Sequence, residues 1–280
     1  MKRAILCIAV YLISATIFKS VRAGESIVSL SPANEVYVTH LYHQIDFGKN
    51  PLSYDVFEKA YRGYRNLKEA GKLNDQKNLL TVCDFTLSSS QNRMWIIDLA
   101  NKKVLFNTYV AHGQGSGEEF ATAFSNRNDS HQSSIGFYVT GDTYIGEHGA
   151  SLRLMGMDNG YNNAAYDRGI VVHGADYVSG QFVTNNQRLG RSWGCPAVPS
   201  QLSAPIINTI KSGTCLFLYY PEKKYLQTAY WLNKKIDHMP ADQFTNDLQT
   251  PLMAFAKRDT VIQYLSPTGK VDSMSHTGRM

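Results

Sequence analysis

The sequence predicts a β-dominated mixed α+β domain, two sheets folded over one core with helices on the periphery. Three observations carry that reading. A single strongly amphipathic stretch, Ser53 to Gly71, is followed by six short segments rich in β-formers. Gly, Asn, Ser and Asp separate those segments, which is the punctuation of turns. No low-complexity linker or internal repeat divides the chain, and 280 residues suffice for one large domain with a sizeable core.

At the N-terminus, Lys2 and Arg3 precede a mostly apolar run from Ala4 to Phe18, and Val21-Arg22-Ala23 closes it before an abrupt polar shift. That is the three-part pattern of a secretory signal peptide, with cleavage expected after Ala23. The run is shorter than the roughly 20 residues that span a bilayer, and no later stretch is long and apolar enough. The mature chain is therefore expected to be exported, with no integral membrane span. The leader removes Lys2, Arg3, Lys19 and Arg22 and no acidic residue, so the net charge of +5 belongs largely to the precursor. A nearly neutral remainder gives no nucleic-acid surface. Cys7 leaves with the leader, and the odd set that remains, Cys83, Cys195 and Cys215, implies at least one free thiol.

Residues 24–52 form an N-terminal segment, 53–221 the main domain and 222–280 a C-terminal helical and irregular extension. In the helix from Ser53 to Gly71, Phe57, Ala60, Tyr61, Tyr64 and Leu67 recur at three and four, Ser53 suits the cap and Gly71 the stop. Strands are expected over Leu79–Leu87, Met94–Leu99, Lys103–Val110, Ile135–Thr140, Gly169–His173 and Thr214–Tyr220. The polar, Gly/Ser/Asn-rich stretch from Gly113 to Ser134 has no period, which marks a lid, a binding loop or a disordered segment. Pro199 to Ile210 suits a short helix, Glu222 to His238 a weaker helical run, and the last 40 residues an irregular appendage. Cys83 and Cys215 sit in apolar strand-like settings that favour packed thiols, and spacing alone does not decide a disulfide between them.

Chemistry concentrates between Gly169 and Val198. Ile170, Val171 and Val172 make a buried strand with His173 and Gly174 at its end, where a side chain can face a cleft. Then comes Gly190-Arg191-Ser192-Trp193-Gly194-Cys195-Pro196. A thiol inside a short glycine-flanked polar turn packs a core poorly and presents a nucleophile well. Gly194 lets backbone come close and leaves amide N–H groups able to face an oxyanion. A thiol needs a neighbouring base or cation to ionise near neutral pH; His173 supplies the first and Arg191 part of the second. Spacing alone leaves open that Cys195 is a small buried hydrophobe.

His-Gly at a strand end (His173, Gly174) followed by Ser-x-Gly-Cys (Ser192, Gly194, Cys195) resembles the catalytic signature of the YkuD-type L,D-transpeptidase family. Ala111-His112-Gly113, Gly146-Glu147-His148-Gly149-Ala150-Ser151-Leu152-Arg153-Leu154 and Arg191-Ser192-Trp193-Gly194-Cys195-Pro196-Ala197-Val198 are similar to the branch labelled murein L,D-transpeptidase catalytic domain. The resemblance spans Ser53 to Pro221. It departs from the better-known branch, which commonly has His where Trp193 stands and Asn or Arg where Ala197 stands.

The resemblance implies a YkuD-like fold and acyl transfer on peptidoglycan stem peptides in the periplasm or cell wall, without a cofactor. Cys195 would attack the diaminopimelate carbonyl and expel terminal D-alanine, His173 would carry the proton, and a second stem would take the thioester. It also implies that His148 lines the cleft, the alternative being a turn histidine bonded to backbone. Arg191 and then Arg153 are the candidates for binding substrate carboxylates, against surface or structural ion-pair roles. Trp193 is a cleft wall or a core filler. Water as acceptor would make the protein a carboxypeptidase, and another cysteine amidase would share the site. A papain-like enzyme would place its nucleophile at the start of a long helix. A zinc site from His112, His148, His173 and Cys195 lacks any close ligand pair, and a non-catalytic wall-binding module would not need Cys195. The sequence fixes no oligomeric state.

Overall fold

The computed structural model describes residues 30–147 and 149–236. The leader with Cys7, residue His148 and the last 40 residues lie outside the described residues.

The expected first long helix is α2, Tyr54–Glu69, preceded by α1, Pro32–Gln44. Ser53 caps α2 by accepting from the Val56 N–H at 3.3 Å, and Gly71 adopts φ +65° just past its end. The helix buries Phe57, Ala60, Tyr61, Tyr64 and Leu67, the residues whose spacing predicts it. Lys59–Asp55 and Arg62–Glu58 pairs bridge successive turns. At Gly63 the helix meets the sheet so closely that an added Cβ would lie 2.0 Å from the Phe137 ring.

Eight strands follow: β1 Leu79–Asp84, β2 Met94–Asp98, β3 Lys103–Thr108, β4 Gly136–Gly146, β5 Gly149–Gly156, β6 Val171–Ala175, β7 Ala197–Pro199 and β8 Cys215–Tyr219. Helices α3 (Gly180–Asn186) and α4 (Ser200–Ile210) flank β7, and α5 (Lys223–Thr228) and α6 (Tyr230–Asn233) follow β8. The fold is β-dominated with peripheral helices, as expected. The strands are hydrogen-bonded into one sheet in the order β3-β2-β1-β8-β4-β5-β6-β7, with β1–β8 and β6–β7 parallel.

That sheet folds over. One face packs against α1, α2, α5 and α6 through Val38, Phe57, Leu67, Val82, Trp95, Phe137, Phe217, Tyr225 and Leu232. The other encloses a second core in which Met94 and Ile96 of β2 meet Leu152 of β5, Val172 of β6, Val198 of β7 and Ile206 of α4. Strands far apart in the sheet order share this core because the sheet curls, and a bridge between Ala111, just past β3, and Ala197 of β7 joins its two ends. The sandwich-like core is thus made by a continuous sheet. Cys83 and Cys215 are buried free thiols in different cores, on opposite faces of the sheet, so no disulfide joins them.

Candidate active site

Strand register assembles the site. Tyr144 of β4 pairs with Ser151 of β5, Ser151 with His173 of β6, and His173 with Ala197 of β7. Paired residues point to one face of a sheet, so these four form a row across it. Cys195 stands two register positions from His173, level with Val171 if the parallel β6–β7 pairing is continued. Cys195 and His173 line a cleft of about 470 Å³ with Tyr144, Ser151, Arg168 and Trp193.

The turn carrying Cys195 is held from within and behind. Ser192 Oγ donates to the Cys195 carbonyl at 2.6 Å and accepts from the Gly194 N–H at 3.1 Å. Gly194 has φ +124°, and a Cβ there would lie 2.8 Å from the Gln132 carbonyl oxygen. Ser133 Oγ donates to the Gly194 carbonyl at 3.1 Å and accepts from the Gly113 N–H at 3.0 Å. The polar stretch from Gly113 to Ser134, with one turn of 3₁₀ helix at Gln114–Ser116, is thus an ordered buttress of the turn that carries Cys195. The Gly194 amide proton itself is taken by Ser192. Among the described residues, the N–H groups of Trp193 and Cys195 have no protein acceptor.

The Cys195 thiol is half-buried, and its Sγ lies 3.8 Å from the Gly169 carbonyl. Burial raises its pKa above the ordinary 9.0, opposed by a hydrogen bond from the Val171 N–H and by the charge of Arg168. His173 Nδ1 is 3.0 Å from the Gly174 carbonyl, an acceptor only. That contact places a proton on Nδ1 and leaves Nε2 as the nitrogen with a lone pair.

Arg168 and Tyr177 are the functional candidates that sequence reasoning missed. Arg168 follows Asp167 in a turn segment, and its only signal was its place just before the strand bearing His173. It donates through Nη1 to the Ser125 carbonyl (2.8 Å) and Ser134 Oγ (2.5 Å), and through Nη2 to Ser130 Oγ (3.2 Å) and the Gln132 carbonyl (2.8 Å). It organises the buttress while holding a positive charge near the thiol. Tyr177 lines the cleft, its pKa pushed up to about 12 by burial and by Cys195.

The remaining expected residues separate. Arg191 lines the cleft, yet its Nη1 bonds Glu118 at 2.6 Å and the Gly117 carbonyl at 3.1 Å, with Arg188 on the same carboxylate at 3.1 Å. It staples the buttress to the nucleophile turn. Trp193 is 71% exposed and stacks on His131 at 5.0 Å, so it is a cleft wall and no core filler. Arg153 pairs with Val171 and lies over Tyr144, two residues that line the cleft, without being one of its lining residues itself. His112 is buried away from the cleft; its Nδ1 is 2.7 Å from Arg93 Nη2 and its Nε2 3.3 Å from the Gly117 carbonyl. Burial and Arg93 lower its pKa to about 3. With both ring nitrogens engaged, His112 is unsuited to the four-ligand zinc set. After Cys195 the chain enters β7, where a papain-like nucleophile would open a long helix.

A family model described as L,D-transpeptidase catalytic domain matches residues 48–219, more than half of the chain. No curated protein matches. Solved structures similar to the chain include an L,D-transpeptidase from Mycobacterium smegmatis (12% identity, 51% of this chain and 59% of that one, TM-score 0.33). Another is an Enterococcus faecium L,D-transpeptidase (11%, 51% and 50%, TM-score 0.32). A third is the L,D-transpeptidase of Xylanimonas cellulosilytica (14%, 68% and 95%, TM-score 0.29). The chain thus spans 59% and 50% of the length of the first two.

Proposed function

We propose, since the chain belongs to the L,D-transpeptidase catalytic domain family, that it is a cysteine acyltransferase that cross-links peptidoglycan stem peptides. The observation that supports this reading is the cleft that Cys195 and His173 line together, with His173 Nδ1 turned to the Gly174 carbonyl.

Burial works against the Cys195 thiolate, and a base positioned to take the thiol proton offsets that. His173 Nε2 takes the thiol proton as Sγ bonds to the diaminopimelate carbonyl carbon. The developing oxyanion is received by the Cys195 and Trp193 N–H groups, aimed by the Ser192-braced turn. The imidazolium then gives its proton to the leaving amine, D-alanine departs, and a thioester remains. The side-chain amine of a second stem attacks that thioester while His173 removes its proton, restoring the thiol. Water in place of the amine would release a tripeptide. Arg168 steadies the turn and adds positive charge, Trp193 walls the cleft, and His148, which follows Glu147 in the sequence, stands as a substrate-positioning candidate. The reading includes export, with residues 1–23 as a cleaved signal peptide and action in the periplasm or cell wall. No described helix is long and apolar enough to cross a membrane.

The test is mass spectrometry of muropeptides after incubating residues 24–280 with disaccharide-tetrapeptide, beside a Cys195→Ala control. Cys195-dependent loss of D-alanine with dimers between two diaminopimelates supports the transpeptidase. Tripeptide without dimers assigns a carboxypeptidase, and unchanged substrate removes the reading.

A further inference from the structure

Most arginines near the cleft are committed. Arg188 and Arg191 share Glu118, and both terminal nitrogens of Arg168 are taken by the buttress loop. Arg153 differs. Among the described residues it has no ion pair and no hydrogen bond, and its guanidinium carbon lies 4.6 Å from the Tyr144 ring centroid and 5.3 Å from that of Tyr166. Two aromatic rings orient a planar cation without neutralising it. Such ring contacts engage no N–H group of Arg153, and guanidinium N–H groups match a carboxylate in bidentate fashion.

Its place in the sheet says which carboxylate. Arg153 is two residues along β5 from Ser151, on the same face as the Tyr144–Ser151–His173 row and about 7 Å from it. It pairs with Val171, whose N–H meets the Cys195 thiol. If a peptide's scissile carbonyl sits at Cys195 and one residue follows, the terminal carboxylate lies within about 4 Å of that carbonyl carbon. The long side chain of Arg153 spans the remainder. If two residues follow, a neutral amide occupies that position.

We propose that Arg153, set against the Tyr144 and Tyr166 rings, binds the terminal carboxylate of the donor peptide and so selects donors that end one residue beyond the scissile bond. This rests on the stem-peptide reading and deepens it: discrimination comes from a charge pair that a longer donor cannot form.

The test uses the otherwise intact Cys195→Ala protein, which binds without turnover. It is titrated calorimetrically with disaccharide-tetrapeptide and with the same compound blocked as its C-terminal carboxamide. With Arg153 present, the free acid should bind at least tenfold tighter. Arg153→Gln should weaken the free acid at least tenfold and leave the carboxamide unchanged, and Arg153→Lys, which keeps the charge, should recover part of the loss. Equal weakening of both ligands, or a preference that survives Arg153→Gln, overturns the assignment while leaving the stem-peptide reading intact. Binding of neither ligand to the Arg153-containing protein overturns that reading and the assignment with it.

Discussion

Two opposing influences meet at Cys195. Burial disfavours the thiolate, whereas the Val171 N–H and Arg168 favour it, and burial wins. Alkylation by iodoacetamide, followed against pH, should therefore give an apparent pKa above the ordinary 9.0, and Arg168→Met should raise it further. An unchanged profile in Arg168→Met would deny the charge any part in setting the thiol. His173→Ala should lower kcat by about 10²–10⁴-fold, the usual worth of a positioned base, with a smaller change in KM. Cys195 and His173 stood out in the sequence because a His-Gly strand end and a glycine-flanked cysteine turn are local patterns, and both line the cleft. Arg168 was not, because its work depends on four partners between Ser125 and Ser134 that meet it only in the fold. Arg191 was readable as a cation near the thiol, but nothing in the sequence showed that Glu118, from a distant loop, would take it.

Among the elements, the buttress from Gly113 to Ser134 matters most to the site. Replacing Glu118 by Gln should change global stability little, since exposed ion pairs contribute about 0–1 kcal/mol. It should nevertheless speed hydrogen exchange in residues 113–134, because Arg188 and Arg191 lose their shared anchor. Exchange indistinguishable from the parent protein would show that the staple does not hold the loop. Gly194→Ala should be worse, costing about 1–3 kcal/mol for the strained φ and pushing Gln132 and the nucleophile apart; thermal melts and turnover report the two losses separately. Strands with apolar runs, such as β1, β2 and β8, were readable from periodicity, as was α2. The outer half of β4 escaped because its side chains are largely exposed, whereas β5 was not among the expected strands although Leu152 and Leu154 alternate with Ser151 and Arg153. Helix α1 escaped because Asn34, Val38 and Leu41 are its buried residues, too few for a continuous apolar stripe.

For the molecule as a whole, two buried groups give opposite responses to acid. His112, held down to about 3, stays neutral in the fold; its contribution is present above its ordinary 6.5 and is lost as pH falls from there toward 3. Asp158, raised to about 6 by burial despite hydrogen bonds from the Phe137 N–H and Tyr225, contributes most below 3.8, and that contribution is lost as pH rises through about 6. Between pH 6 and 4 the two oppose each other. Asp158→Asn should therefore lose stability more steeply than the parent protein over that interval in urea melts, and parallel slopes would deny Asp158 its raised pKa. Both groups lie away from the cleft, so these changes test the scaffold apart from the chemistry. The proposed chemistry rests on a thioester at Cys195, and the most direct measurement is the intact mass of the protein after brief incubation with disaccharide-tetrapeptide. The account predicts a covalent gain equal to the donor less D-alanine, mapping to the peptide that contains Cys195 and absent from Cys195→Ala. D-alanine release by the parent protein with no such adduct, and undiminished release by Cys195→Ala, would contradict it.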